Sequence, residues 1–286
     1  IAAAKGANQK LVGIETVDKV LSRITKVPVG KIAENEKAKL KDLEGYLHKR
    51  IVGQEEAITE IAKAMRRARA GIYRSQKTMG AFLFLGPTGV GKTETAKALA
   101  DAYFGSDSKM IRLDMTEFQA EDSIKRLIGD PDNKNQGQLT SLVRQNPFGL
   151  LLLDEFEKAN KNVQNLFLQI IDEGNLTDAY GKKVNFENII LIATSNAAAE
   201  YIREEVEKTV DSRQLTVDGK KETMNREPLT AKLIDYVLKQ GMFSPELINR
   251  FDAVVVYHPL TRVQINQVAK LMLIQLANSL KKTKNI

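Results

Sequence analysis

The sequence has no cysteine, no tryptophan and only two histidines, His48 and His258, in 286 residues. Disulfides, thiolate zinc sites, iron–sulfur clusters and a cysteine nucleophile are thereby excluded, as is a histidine-rich metal centre. No apolar run reaches the ~18 residues needed to cross a bilayer, so no membrane partner is expected. Charge of one sign is nearly absent as an excess: 43 Lys and Arg against 36 Asp and Glu leave +7. That balance suits a solvated surface better than a nucleic-acid-binding face. The lack of cysteine fits a reducing, cytoplasmic compartment. What is present is 43% hydrophobic and 28% charged residues, the composition of a globular protein of one large domain or two ordinary ones. The chain opens on Ile1 and ends on Lys284, Asn285 and Ile286 with no closing Gly or Pro, and both ends read as cuts through a longer protein.

Hydrophobic spacing organises the chain. Val17, Val20, Leu21 and Ile24 indicate one short helix, broken at Pro28, and Leu40, Leu43 and Leu47 a second. After Gly53, the residues Ala57, Ile58, Ile61, Ala62 and Met65 share one helical face, with Gly71 as its stop. From Ala81 the pattern changes: a continuous apolar run at 81–85 is followed by further strand-like runs at 110–115, 150–153, 189–194 and 253–257. Helical stretches at 94–103 and 163–172 lie between them. Strands apolar on both faces and alternating with helices predict an α/β fold, a five-stranded parallel sheet covered on both sides. The stretch 197–242 is long for one connection and has a polar middle at 211–226. Thr261 is placed to cap a final helix with Val268, Leu271, Met272 and Leu276 as its apolar stripe.

Gly86-Pro87-Thr88-Gly89-Val90-Gly91-Lys92-Thr93 fits the phosphate-loop pattern G-x-x-x-x-G-K-[ST] at every fixed position, after a predicted strand and before a predicted helix. Glycines let backbone N–H groups turn inward around phosphate oxygens. Lys92 supplies a point charge for the β- and γ-phosphates of ATP, Thr93 a hydroxyl for Mg²⁺, and the following helix its positive end. The apolar run 150–153 ends in Asp154 and Glu155. Beside a phosphate loop, Asp154 is expected to hold Mg²⁺ and Glu155 to act as general base on the attacking water. Thr194-Ser195-Asn196 closes the fourth apolar run, where a polar residue either bonds the γ-phosphate or simply turns the chain.

These stretches resemble the Clp-type AAA+ proteins, ring-forming ATPases that unfold or disaggregate proteins, and within them the second ATPase module. The resemblance is carried by IVGQEEAI (51–58), FLGPTGVGKTETAKALA (84–100), LLLLDEFEKA (150–159), GNLTD (174–178), TSN (194–196) and FSPELINRFD (243–252). It implies that Lys92 and Thr93 contact phosphate and Mg²⁺, and that Asp154 is the metal acid and Glu155 the catalytic glutamate. It also implies that Asn196 senses the γ-phosphate and that Arg250 is an arginine finger reaching into a neighbouring subunit's site. Ile51 and Val52 match the segment along the adenine. The family further implies that the 189–194 strand lies between the 81–85 and 150–153 strands. The expected division is leading helices in 1–50, the nucleotide-binding subdomain in 51–259 and the start of a small helical lid in 260–286, the lid's sensor arginine lying outside this sequence. Expected partners are other copies of the chain, as a homo-hexamer, and unfolded or aggregated protein.

Two departures matter. Substrate-threading members carry Gly-Tyr-Val-Gly in a region that here reads Leu127-Ile128-Gly129-Asp130-Pro131-Asp132-Asn133-Lys134-Asn135-Gln136-Gly137-Gln138-Leu139, with a shorter loop and no aromatic. The loop offers polar contacts in place of an aromatic grip. Between Ala197 and Met242 no apolar-Gly-Phe tripeptide is found, so docking to a peptidase ring is not supported. Besides a protein remodeller, two other readings stand: a nucleotide-gated assembly ATPase that does not thread, and an AAA+ ATPase acting on nucleic acid. The last draws only on net charge and on Arg66, Arg67, Arg69 and Arg74, which equally suit a helix C-terminus.

Overall fold

The computed structural model describes residues 13–25, 40–69, 77–204 and 229–284. The expected features at Pro28, Gly71, Arg74 and 211–226 lie outside these residues.

Strands β1 (Gly80–Leu85), β2 (Met110–Asp114), β3 (Gly149–Asp154), β6 (Ile189–Ser195) and β7 (Ala253–Val256) form one sheet in the order β2-β3-β6-β1-β7. Every pairing is parallel. All five expected strands are present, and β6 sits between β1 and β3. Parallel strands require covered faces, and the two faces of this sheet divide by the period-two alternation of strand side chains. Ala81, Leu83, Leu85, Leu151, Leu153, Ile189, Leu191 and Ala193 join one apolar core. Phe82, Phe84, Leu150, Leu152, Ile190 and Ile192 join the other. Full burial of each large side chain stabilises by about 1.5–3 kcal/mol, so the alternation fixes the register of the central strands.

The second core is closed by α2 (Leu43–His48), α3 (Glu55–Arg69) and α4 (Lys92–Phe104). The predicted α3 stripe of Ala57, Ile58, Ile61, Ala62 and Met65 is buried, as are Leu40, Leu43 and Leu47. Arg66 is a bridging charge between helices. Its guanidinium pairs with Glu44 and donates to Leu40 O, tying α3 to α2. Arg50 likewise joins Glu94 and Asp101 on α4. The first core is closed by α5 (Ser123–Ile128), α6 (Gln138–Gln145), α7 (Lys161–Glu173) and α8 (Leu229–Lys239). The result is a three-layer helix–sheet–helix architecture.

Outside those layers, α1 (Ile14–Thr25) exposes Val17, Val20, Leu21 and Ile24. The last helix, α10 (Arg262–Lys284), follows a short α9 (Pro245–Ile248) and β7. Thr261 caps it as expected: its Oγ1 accepts the Gln264 N–H, and Gln264 Oε1 accepts the Thr261 N–H, a reciprocal capping box. Met272 and Leu276 on α10 stand exposed. One element had no counterpart in the sequence reading, an antiparallel hairpin of β4 (Asn175–Thr177) and β5 (Lys183–Asn185).

Candidate active site

The phosphate loop joins β1 to α4. Gly89 and Gly91 have φ of 80° and 107°, left-handed values that side chains resist. At Gly86 a Cβ would lie 2.7 Å from Tyr257 O, so the residue just past β7 demands a glycine there. Val90 is buried, and Gln54 bridges from Val90 O to His258, donating to His258 O and accepting its N–H. The 51–54 segment is thereby pinned between the loop and the approach to α10. Ile51 is buried in the core, and neither Ile51 nor Val52 lines the site cavity.

That cavity has a volume of about 560 Å³ and takes in Thr88, Gly89, Gly91, Lys92, Thr93, Asp154, Glu155 and Asn196, with Val268, Leu271 and Met272 of α10 as an apolar wall. Lys92 is 7% exposed. Its Nζ donates to Gly86 O at 2.6 Å, Pro87 O at 2.8 Å and Asn196 Oδ1 at 2.7 Å. Burial lowers its pKa to about 8, opposed by the charges of Glu157, Asp154 and Glu155.

The two acids at the end of β3 are held by β6. Thr194 Oγ1 donates to Asp154 Oδ1 at 2.6 Å and accepts the Glu155 N–H at 3.2 Å. Glu155 has φ 54°, a left-handed conformation that costs about 1–3 kcal/mol in a non-glycine residue and persists only where its surroundings enforce it. Asp154 contacts Thr194 and Arg112, whereas Glu155 contacts Asn196. Asn196 Nδ2 reaches Glu155 Oε1 at 3.5 Å, and its backbone N–H donates to Glu157 Oε1 at 3.1 Å. Asn196 thus joins Lys92 and Glu155 through the two ends of its amide.

The structure therefore brings together Lys92, Thr93, Asp154, Glu155 and Asn196. Arg250 is not among them. It precedes β7, whose Ala253 pairs with Phe82 near the start of β1, whereas the phosphate loop leaves the end of β1. A strand length of roughly 20 Å separates the two ends. Arg250 Nε lies 2.7 Å from Asp172 Oδ2, an ion pair without hydrogen-bond alignment, in a second cavity of about 440 Å³ shared with Arg67, Lys77 and Asp252.

Sequence spacing missed three residues here. Arg112 on β2 enters the site through an ion pair to Asp154, and Glu157 holds the Asn196 backbone. Their signal was position alone, in the middle of an edge strand and one turn beyond the paired acids. Tyr180, in the β4–β5 turn, donates its hydroxyl to Asn135 O at 3.1 Å. It sets an aromatic ring beside a loop that has none of its own.

Mg²⁺ takes one or two protein oxygens and completes its shell from phosphate and water. Thr93 and Asp154 supply oxygens of that kind, so the residues fit the metal, which when bound would neutralise charge on the β- and γ-phosphates. A strand-to-helix turn with a buried ammonium, linked through the Asn196 amide to one of two adjacent acids, suits a phosphate chain attacked by water. Fold and site together define a P-loop nucleotide-binding domain of the ATPase kind. Residues 77–254 match the family described as AAA domain (Cdc48 subfamily). The chain is 41% identical over 97% of its length to the negative regulator of genetic competence ClpC/MecB of Bacillus subtilis, and covers 34% of that protein. It is 43% identical over 91% of its length to chaperone protein ClpB of Aquifex aeolicus, covering 25% of it. It is 40% identical over 93% of its length to the ATP-dependent Clp protease ATP-binding subunit ClpC of Staphylococcus saprophyticus, covering 32%. The chain belongs to the Clp-type AAA+ ATPases. It spans 25–34% of the length of these relatives.

Proposed function

We propose that this chain is the ATP-hydrolysing module of a ring-forming protein-remodelling chaperone, cytoplasmic, with residues 51–259 as its nucleotide-binding subdomain and 260–286 opening the lid. The observation that carries the reading is the Lys92–Asn196–Glu155 chain of contacts. Lys92 and the backbone N–H groups of Gly86–Gly91 take the phosphates. Thr93 and Asp154 take the metal. Glu155 accepts a proton from the attacking water while Asn196 holds that water between Glu155 and the γ-phosphate, so the leaving ADP departs as the new P–O bond forms. Relatives named as chaperone and as protease ATP-binding subunit support protein as the substrate.

Arg250 requires a second copy. At the far end of the sheet from Lys92 it has no route to its own nucleotide, but in a head-to-tail ring that end meets the next subunit's phosphate loop. Arg250→Ala is expected to cut turnover of the assembled protein by about 10³-fold or more, leaving ATP binding intact. Normal turnover in assembled Arg250→Ala would remove the finger assignment.

A second reading, a nucleotide-gated assembly ATPase, draws on the 129–137 loop. Asp130 and Asn135 close it by paired backbone bonds of 2.8 and 2.9 Å, and Tyr180 braces it from the hairpin. A loop closed on itself is poorly suited to moving with a threaded chain. Turnover measured with and without unfolded casein separates the readings. Stimulation is expected for the remodeller; an unchanged rate together with ATP-dependent assembly would establish the assembly ATPase instead.

A further inference from the structure

Arg112 stands on the edge strand β2 with its side chain 55% exposed, yet its Nη2 lies 2.7 Å from Asp154 Oδ2, and the Asp154 side chain is only 16% exposed. The opposite oxygen, Oδ1, accepts the Thr194 hydroxyl at 2.6 Å. Both oxygens of the acid that fits the metal are therefore engaged, one by a neutral donor fixed on β6 and one by a cation on a long, largely solvated arm. Arg112 lines the same cavity as Lys92, Thr93 and Glu155. Thr194 cannot move without disturbing β6, which is buried along its whole length. Arg112 can swing into solvent at little cost.

From this asymmetry we infer that Arg112 is a displaceable counter-charge for Asp154, which competes with Mg²⁺ for the carboxylate and so sets the metal requirement of nucleotide binding. A guanidinium 2.7 Å from Oδ2 repels a dication brought to the same carboxylate. Metal arriving with nucleotide must break the Arg112 contact, whereas nucleotide alone, held by Lys92 and the loop, need not. The inference rests on the nucleotide-site reading and goes beyond it by adding a residue of β2 that neither the phosphate loop nor the acid pair contains.

The test is equilibrium binding of a fluorescent ADP, titrated with Mg²⁺ and repeated in EDTA, for the wild-type chain, Arg112→Gln and Arg112→Lys. In Arg112→Gln the half-saturating Mg²⁺ concentration is expected to fall roughly three- to fivefold, the span of a partly solvated ion pair, with metal-free ADP binding unchanged. Arg112→Lys keeps the charge and is expected to stay close to wild type. An unchanged Mg²⁺ requirement in Arg112→Gln would overturn competition. A raised requirement would do the same, by showing that Arg112 assists the nucleotide. Loss of ADP binding in the wild-type chain itself would take down the nucleotide-site reading and this inference with it, an outcome distinct from the other two.

Discussion

Lys92→Ala is expected to weaken ATP binding at least a hundredfold, about 3 kcal/mol, with the sheet and its two cores unchanged. A charge-assisted hydrogen bond contributes about 1.5–3 kcal/mol, and the Lys92 ammonium sits where two phosphates would converge. Its three present acceptors, two loop carbonyls and Asn196, are neutral groups that phosphate oxygens would outcompete. The same burial gives a second readout. With its pKa lowered to about 8, Lys92 loses its proton as pH rises through that value, while bound phosphate favours the ammonium and pushes the pKa back up. Binding should therefore take up protons near pH 8, and affinity should fall as pH rises through about 8. Calorimetry in buffers of different ionisation heat measures the uptake. Lys92→Ala should abolish it, and a wild-type affinity flat from pH 7 to 9 would count against Lys92 as the phosphate cation.

Glu155→Gln is expected to keep ATP affinity within a few-fold and to lower turnover by about 10²–10⁴-fold, the range of a lost general base. The amide is nearly isosteric, so the left-handed turn at 155 and the Thr194 bond to its N–H survive the change. Only the proton acceptor is removed. Single-turnover hydrolysis beside binding separates the two effects: full turnover in Glu155→Gln would move the base to another carboxylate, such as Glu157 on the Asn196 backbone. Asp154→Asn should differ in kind, weakening the Mg²⁺-dependent part of binding.

Much of the fold was legible because its signals are local. Runs of four to six mostly apolar residues mark the strands, and the 3.6-residue stripe of Ala57, Ile58, Ile61 and Met65 marks α3, since burial follows from periodicity alone. The capping box at Thr261 needs only two residues three apart. The hairpin β4–β5 was not legible: its strands have three residues each, too short to display alternation. Its stability comes from elsewhere, through Arg144 paired to the buried Asp178 and Tyr180 laid on the neighbouring loop.

The same division runs through the site. Sequence by itself determined the phosphate loop, because glycine and lysine spacing is dictated by phosphate geometry within one turn of chain. It also determined which strand ends in two acids. Tertiary structure alone decided what those groups touch. Parallel pairing of β6 between β1 and β3 carries Thr194 and Asn196 to Asp154 and Lys92, residues 40 and 104 positions away. Pairing of β2 with β3 sets Arg112 beside Asp154, and the parallel run of β7 with β1 sends Arg250 to the end of the sheet opposite the phosphate loop. Sheet order is a long-range choice, made by burying both faces at once, and no local pattern encodes it.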